Sequence, residues 1–366
     1  MQRMIVVLTV ALLIWSFCPV IANSENKKEP LKIGFILVGR GNDMGWNYAH
    51  NQGRLFLEKA MAGKVTTTVI ENVPESAEVE RVIEKLIAQG NKLIFTTSYG
   101  YLEPALRAAG RHSDVIVMQC QRSVPPSVKN VGTYDVRQFE PNYAAGIVAG
   151  KMTKTNKLGF IGGHPVPLLI SSLNSYIIGA RSVNPKVVVK AVWLNTWEDA
   201  VLEVEATKGL IDSGADVVSS ILDSSLTTVK TCNASHVFSI GQSADLSKAA
   251  PKSWITGEYF NWGPLYVRMS QSVIDHTWKA ANTIYDTKYG YVGLCPCGKI
   301  VPLSVRKEAE LEMKNIAEGK LKIFKGPMKD RDGNLRIKDG EVLTDADIGA
   351  MNWVVSGVEG AVPKQK

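Results

Sequence analysis

Beyond residue 23 the chain has no apolar run long enough to cross a bilayer, so no membrane span is expected there. Histidine and cysteine are scarce, five of each among 366 residues. His50, His112, His164, His236 and His276 stand singly, which leaves no zinc pattern, and no metal or cofactor is expected. A Gly-x-Ser-x-Gly elbow, a His-Glu-x-x-His pair and a Walker loop are all missing. Spacing alone pairs no two carboxylates for acid–base work, so the sequence reads as a binding protein and not an enzyme. Lys and Arg exceed Asp and Glu by a net charge of +7, but they are scattered and never alternate with aromatics, which argues against a nucleic-acid groove.

What is present begins with an export signal. Arg3 precedes an apolar run from Met4 to Trp15, Pro19 breaks it, and Val20-Ile21-Ala22 fits a peptidase cut before Asn23. Residues 1–22 are therefore read as a signal peptide and the mature chain as periplasmic or extracytoplasmic. Cys18 does not fit a lipid anchor, because Phe17 stands where a small residue is needed and Pro19 follows. In an oxidising compartment Cys120, Cys232, Cys295 and Cys297 could bridge, although Cys295 and Cys297 are too close to pair easily with each other. Buried or singly bridged thiols are the simpler expectation.

The remaining length suits two lobes. Short β-branched runs alternate with helical periods, the pattern of a parallel sheet wrapped by helices. Strands are expected over 32–38, 65–70, 92–96, 115–119 and 131–134. The helix over 78–89 gathers Val79, Val82, Ile83, Leu86 and Ile87 on one face. The pattern restarts with a helix over 143–152 and strands over 157–161, 187–194, 217–221 and 237–240. A long helix over 263–287, Gly- and Pro-rich strands and turns, and a short helix over 345–355 complete the reading. The expected organisation is α/β, with two doubly wound lobes: 31–137 plus 258–292, and 138–257 plus 293–366. Chain crossings near 136–139, 257–260 and 291–302 would form the hinge.

Open parallel sheets bind ligands beyond the carboxyl ends of their strands. The connections there are rich in flat rings: Trp46 and Asn47 after the first strand, Ser98 and Tyr99 after the third, Trp197 in the second half, and Asn261-Trp262 near the last crossing. Each ring alone is more simply read as core packing. Trp46 and Trp197 escape that reading best, since both sit among Gly, Asn, Thr and Asp. Together they point to a flat ligand held by stacking, with amides and backbone groups reading its edge. Asp43, Glu140 and Asp245 fall at expected cleft or hinge positions.

A rival reading comes from Gly39-x-Gly41-x-x-x-Gly45 after a strand, with Glu71 at the end of the next, which approximates a dinucleotide-binding loop. It has one extra residue before the last glycine. Arg40 and Trp46 put bulk where a pyrophosphate needs close backbone approach, and export would part the chain from a cytoplasmic NAD(P) pool.

The run Asn42-Asp43-Met44-Gly45-Trp46-Asn47, followed by Ala49-His50-Asn51-Gln52-Gly53-Arg54, resembles the opening motif of the basic membrane protein family, the purine nucleoside receptor A-like binding proteins of ABC importers. Further landmarks are 144–150, 179–185, Trp197-Glu198-Asp199, 210–217 and 261–264, so the resemblance covers essentially the mature chain. It implies a type I periplasmic-binding-protein fold, a purine base or nucleoside as ligand, and a permease as partner. Carried over, Trp46 stacks on the base, Asn47 bonds to it, and Trp197 is the opposing ring. Acidic positions that the family places around the sugar fall here on Leu37 or Val38, near Gln121 and on Ser243. A carboxylate is the natural partner of a ribose diol, so its loss points to a free base such as adenine. Ser98, Asp245 and Asn261 are further edge contacts, with Tyr99 as an outer wall and Trp262 as a ligand-binding ring or equally a hinge wedge. The same fold also serves ligand-sensing modules of signalling receptors, which the sequence does not separate from import.

Overall fold

A computed structural model describes residues 29–125 and 127–363. The expected signal peptide, its cleavage site and Cys18 lie outside the described residues. The first sheet contains β1 (Leu31–Ile36), β2 (Val65–Ile70), β3 (Leu93–Thr96), β4 (Ile116–Cys120), β5 (Val131–Val136) and, much later in the chain, β11 (Asn282–Tyr285). All its pairings are parallel, in the order β11-β5-β4-β3-β1-β2. The second sheet contains β6 (Lys157–Gly162), β7 (Val188–Trp193), β8 (Val217–Ile221), β9 (Phe238–Gly241), β10 (Trp254–Phe260), β12 (Val292–Leu294) and β15 (Val358–Glu359). Its order is β12-β10-β9-β8-β6-β7-β15, and only the β10–β12 pair is antiparallel. A small hairpin, β13 (Met328–Lys329) with β14 (Leu335–Ile337), lies in the C-terminal segment.

The helices are α1 (Trp46–Ala60), α2 (Glu78–Ala88), α3 (Leu102–Ala109), α4 (Phe139–Met152), α5 (Pro167–Val183), α6 (Ala200–Asp212), α7 (Leu226–Ala234), α8 (Trp262–Ile274), α9 (Leu303–Ala317) and α10 (Asp345–Gly349). The inner strands β3 and β8 are buried at every residue and β10 at all but one, as central strands of wrapped sheets must be, whereas the edge strands β2 and β11 are largely only part-buried or exposed. The closest helix pair is α4 with α5. A β-carbon on Gly146 would lie 2.0 Å from the Tyr176 carbonyl oxygen, and one on Gly179 would lie 2.0 Å from that of Tyr143. Two glycines thus let two backbones touch, which explains why the small-residue runs at 144–150 and 179–180 stand where they do.

The two α/β lobes expected from the sequence are present, and the chain changes sheet three times. It leaves the first sheet after Val136, leaves the second after Phe260, and returns to the second between Tyr285 and Val292. Residues 258–260 pair within the second sheet, past the boundary expected at 258. The long helix expected over 263–287 is also shorter than its apolar period implied. It stops at Ile274, His276 takes a positive φ, and the β-branched run Asn282–Tyr285 becomes the edge strand β11. The last helix, expected to reach residue 355, spans only Asp345–Gly349.

Candidate functional site

The carboxyl ends of both sheets meet around one cavity. It is lined from the first lobe by Trp46, Ser98, Tyr99, Gln121 and Gln138, and from the second by Leu168, Leu169, Trp197, Ile221, Leu222, Asp223 and Gln242. These side chains surround about 390 Å³ of space, part of it open to solvent. Several connections that bound it hold non-glycine residues at positive φ: Met44, Gln121, Arg122, Asn195 and Ser243. Such conformations cost on the order of 1–3 kcal/mol outside Gly and Asn and gather where a binding surface is being shaped.

Trp46 is fixed before any ligand arrives. Asp43 folds its carboxylate over the start of α1 and accepts from the amides of Gly45 (2.7 Å), Tyr48 (2.8 Å) and Asn47 (3.2 Å), satisfying donors that a helix start leaves free. The indole N–H of Trp46 donates to the Thr97 carbonyl at 2.7 Å. Behind the ring, His50, Phe260 and Trp262 approach edge-on at centroid distances of 4.6, 5.2 and 5.8 Å. Its remaining surface lines the cavity. Trp197 is held more loosely: it is half-buried, meets the His164 ring at 4.8 Å, and leans on Gly163, where a β-carbon would lie 2.6 Å from the indole. The contrast follows from position, since Trp46 opens a helix whereas Trp197 sits in a loop ahead of α6.

The polar lining is mostly amide. Ser98 donates to Glu75, which also accepts from the Gly100 amide at 2.7 Å and so pins the Ser98–Tyr101 turn. The Gln242 side-chain carbonyl accepts from the Leu222 amide at 2.9 Å, and the same side chain hydrogen-bonds to the Glu258 carboxyl behind the cavity. Asp223, nearly buried, is the one carboxyl in the lining. Desolvation, then the charges of Asp43, Glu198 and Glu75, push its pKa up to about 8, and a hydrogen bond from Asn47 opposes the shift only in part. At neutral pH the group is mainly a neutral acid, able to donate as well as accept.

The expected residues therefore divide. Trp46, Ser98, Tyr99 and Trp197 line the cavity together. Asn47 and Asp43 stand just behind it. Asn47 is fully buried, with its carbonyl accepting from the Gly39 amide (3.0 Å) and its NH₂ donating to Asp43 (2.8 Å), so both groups hold the first loop. Three residues stand elsewhere. Asp245 is exposed and caps the Ser247 amide. Asn261 is exposed and donates to the Gly290 carbonyl at the crossing. Trp262 is fully buried, stacked between His50 (4.8 Å) and Phe260 (5.3 Å) as core behind Trp46. Sequence reasoning missed Asp223, Gln242 and Gln138. All three follow strands, so the strand-end rule reached them, but attention to rings passed over them. The inference that the cleft had lost its carboxyl is corrected by Asp223, which follows β8 in a loop where none was sought.

The glycine loop serves lobe contact and not a phosphate. A β-carbon on Gly45 would lie 1.9 Å from the Asp223 carbonyl oxygen across the cleft. Two hydrogen bonds flank that approach: the Trp46 amide to the Asp223 carbonyl (2.6 Å) and the Ser224 hydroxyl to the Asp43 carbonyl (2.7 Å). All four cysteines among the described residues are free, three of them buried. Among the described residues no cluster of three or more His, Cys, Asp or Glu could hold a metal, and no helix is long and apolar enough to cross a membrane.

Residues 31–330 match the family model for PnrA-like substrate-binding proteins of ABC transporters. The chain belongs to this family. It is a receptor and not an oxidoreductase, and its family works outside the cytoplasm. A purine-binding protein of Brucella abortus (strain 2308) is 37% identical over 94% of this chain and 97% of its own length. A putative ABC transporter glucose-binding protein of Haloferax volcanii is 28% identical over 92% of this chain and 82% of its own. The nucleoside-binding protein BmpA of Lactococcus lactis is 33% identical over only 36% of this chain and 37% of its own. Among solved structures, a solute-binding protein of Aeropyrum pernix K1 superposes with a TM-score of 0.69 at 16% identity, covering 80% of this chain and 92% of that one. One from Conexibacter woesei gives 0.65 at 22%, covering 80% and 97%. At such identities these two establish the type I periplasmic-binding-protein fold.

Proposed function

We propose that this receptor captures a free purine base, adenine or a close analogue, between the indoles of Trp46 and Trp197 and delivers it to the permease of an ABC importer. The observation that carries the reading is a narrow cavity with one indole from each lobe and a rim of neutral amides and one neutral acid. Stacking on each ring is worth about 1–3 kcal/mol, independent of sequence-like detail at the base edge. The edge of a purine alternates ring nitrogens with exocyclic amine or carbonyl groups. Neutral Asp223 and the amides of Gln121 and Gln138 offer donors and acceptors to such an edge.

Asp223 weakens the simplest argument against a sugar, because a carboxyl is present after all. A group held neutral is, however, a poor match to a ribose diol, which favours an ionised acceptor. The Brucella relative's name supports a purine, and the Lactococcus relative keeps a nucleoside in view. Calorimetric titration with adenine, hypoxanthine, guanine, xanthine and adenosine separates these ligands. A free base should bind more tightly than adenosine; the reverse order would replace this reading with a nucleoside receptor, and heat from none of them would end it.

A further inference from the structure

A second inter-lobe compartment, about 570 Å³, adjoins the ligand cavity and shares Tyr99, Gln121 and Leu168 with it. Across it Arg137 meets Asp345. The Arg137 backbone belongs to the first lobe, its amide extending the β5–β11 ladder to the Tyr285 carbonyl at 2.9 Å. Asp345 belongs to the second lobe, since it opens α10, which packs on α5, and Ile348 sinks into that lobe's core. Two pins just after the core residue Met351 hold the segment there. The Asn174 side chain donates to the Trp353 carbonyl (2.9 Å) and accepts from the Val355 amide (2.9 Å).

The contact has fork geometry. Arg137 Nε and Nη2 donate to the two carboxylate oxygens of Asp345, both at 2.8 Å. The third arm, Nη1, reaches Glu140 at 3.3 Å, and Glu140 in turn accepts from the Thr287 amide (2.8 Å) in the last crossing. Parallel two-bond pairing fixes both distance and direction, which a single lysine contact would not. Neither Arg137 nor Asp345 lines the ligand cavity.

We infer that Arg137 and Asp345 are a positioning pair for ligand capture, an inter-lobe clasp that holds the lobes at the spacing in which Trp46 and Trp197 can share one guest. The pair joins the exit of β5 to α10 of the other lobe, so any lobe movement that parts the two residues must break it, and its free energy then enters the closing equilibrium and thereby the apparent affinity.

The affinity arm of the test rests on the purine reading. Titrated with adenine, Asp345→Asn and Arg137→Gln should each bind about fivefold more weakly, by faster dissociation at nearly constant association. The exchanged pair, Arg137→Asp with Asp345→Arg, should recover most of the loss. Wild-type affinity should fall between about 50 and 500 mM salt while the Asp345→Asn affinity stays flat, a readout that a merely structural role would not move. Wild-type affinity in both single variants, or a loss that salt does not touch, overturns the clasp. If the wild type binds no purine, the purine reading fails instead, and small-angle scattering of the ligand-free proteins decides the clasp. A larger radius of gyration in both variants at low salt then supports it, and identical curves overturn it.

Discussion

The backbone amide of Trp46 donates to the backbone carbonyl of Asp223 at 2.6 Å, joining the ring-bearing helix of one lobe to the acid-bearing loop of the other. A single contact therefore couples stacking surface, titratable group and lobe closure.

Gly45 makes that contact sterically feasible. Its φ of −138° is negative, so Gly45→Ala calls for no left-handed backbone. The added methyl would stand 1.9 Å from the Asp223 carbonyl oxygen, however, and forbids this approach of the lobes. The variant should keep the ligand-free melting temperature of the wild type and lose purine affinity at least tenfold. Calorimetry and thermal melting check both halves.

The two indoles should respond differently to truncation. Trp197 is half-buried and packs on His164, so Trp197→Ala should lower affinity by about 1–3 kcal/mol while the ligand-free protein melts within a few degrees of wild type. Trp46 is buried in an aromatic cluster, and Trp46→Ala should cost about 3–5 kcal/mol of folding stability as well. Equal melting losses in both would mean that Trp197 is core.

Closure should take up a proton. The Asp223 carboxyl is pushed up to about 8 in this form by burial and by Asp43, Glu198 and Glu75, against an ordinary value of 3.8. Parting the lobes removes Asp43 and Glu75 and rehydrates the group, which returns it toward its ordinary range. Below the ordinary value both forms are protonated and closing carries no penalty. Between that value and about 8, closing becomes less favourable as pH rises, by at most tenfold per unit, and above about 8 the penalty is constant. Purine affinity should therefore fall from pH 5.5 to pH 7.5, and Asp223→Asn should flatten the profile. A wild-type profile that rises over this range contradicts the assignment.

Folding stability should carry a separate signature from Glu258. This fully buried acid on β10 accepts from Asn142 at 2.9 Å and is pushed up to about 8 by desolvation. Its raised value means that stability is greatest at low pH for this group and declines toward pH 8. Glu258→Gln, which mimics the neutral acid, should melt higher than wild type at pH 8.5 and close to it at pH 5.5.

Much of this architecture was legible in the residues. Apolar runs such as Leu93–Thr96 and Val217–Ile221 name central parallel strands, and the strand-end rule led to Trp46, Ser98, Tyr99 and Trp197. Other features depend on long-range placement. Trp262, like Trp46, has an Asn and a Gly beside it in the chain, but α8 packs on α1 and buries it, a fact that no local pattern carries. Asn282–Tyr285 reads as a continuation of the preceding amphipathic stretch until β5 offers an edge to pair with. Asp223 looks like any loop acid, and only its burial in the folded protein, with the charges of Asp43, Glu198 and Glu75 around it, makes it unusual.

The most direct measurement is a crystal structure of the protein with the purine that titrates most tightly. The account predicts the base lying flat between the indoles of Trp46 and Trp197, with its edge toward Asp223 and the glutamine amides. A base bound elsewhere, or those two rings turned away from it with protein side chains filling the space between them, would contradict it.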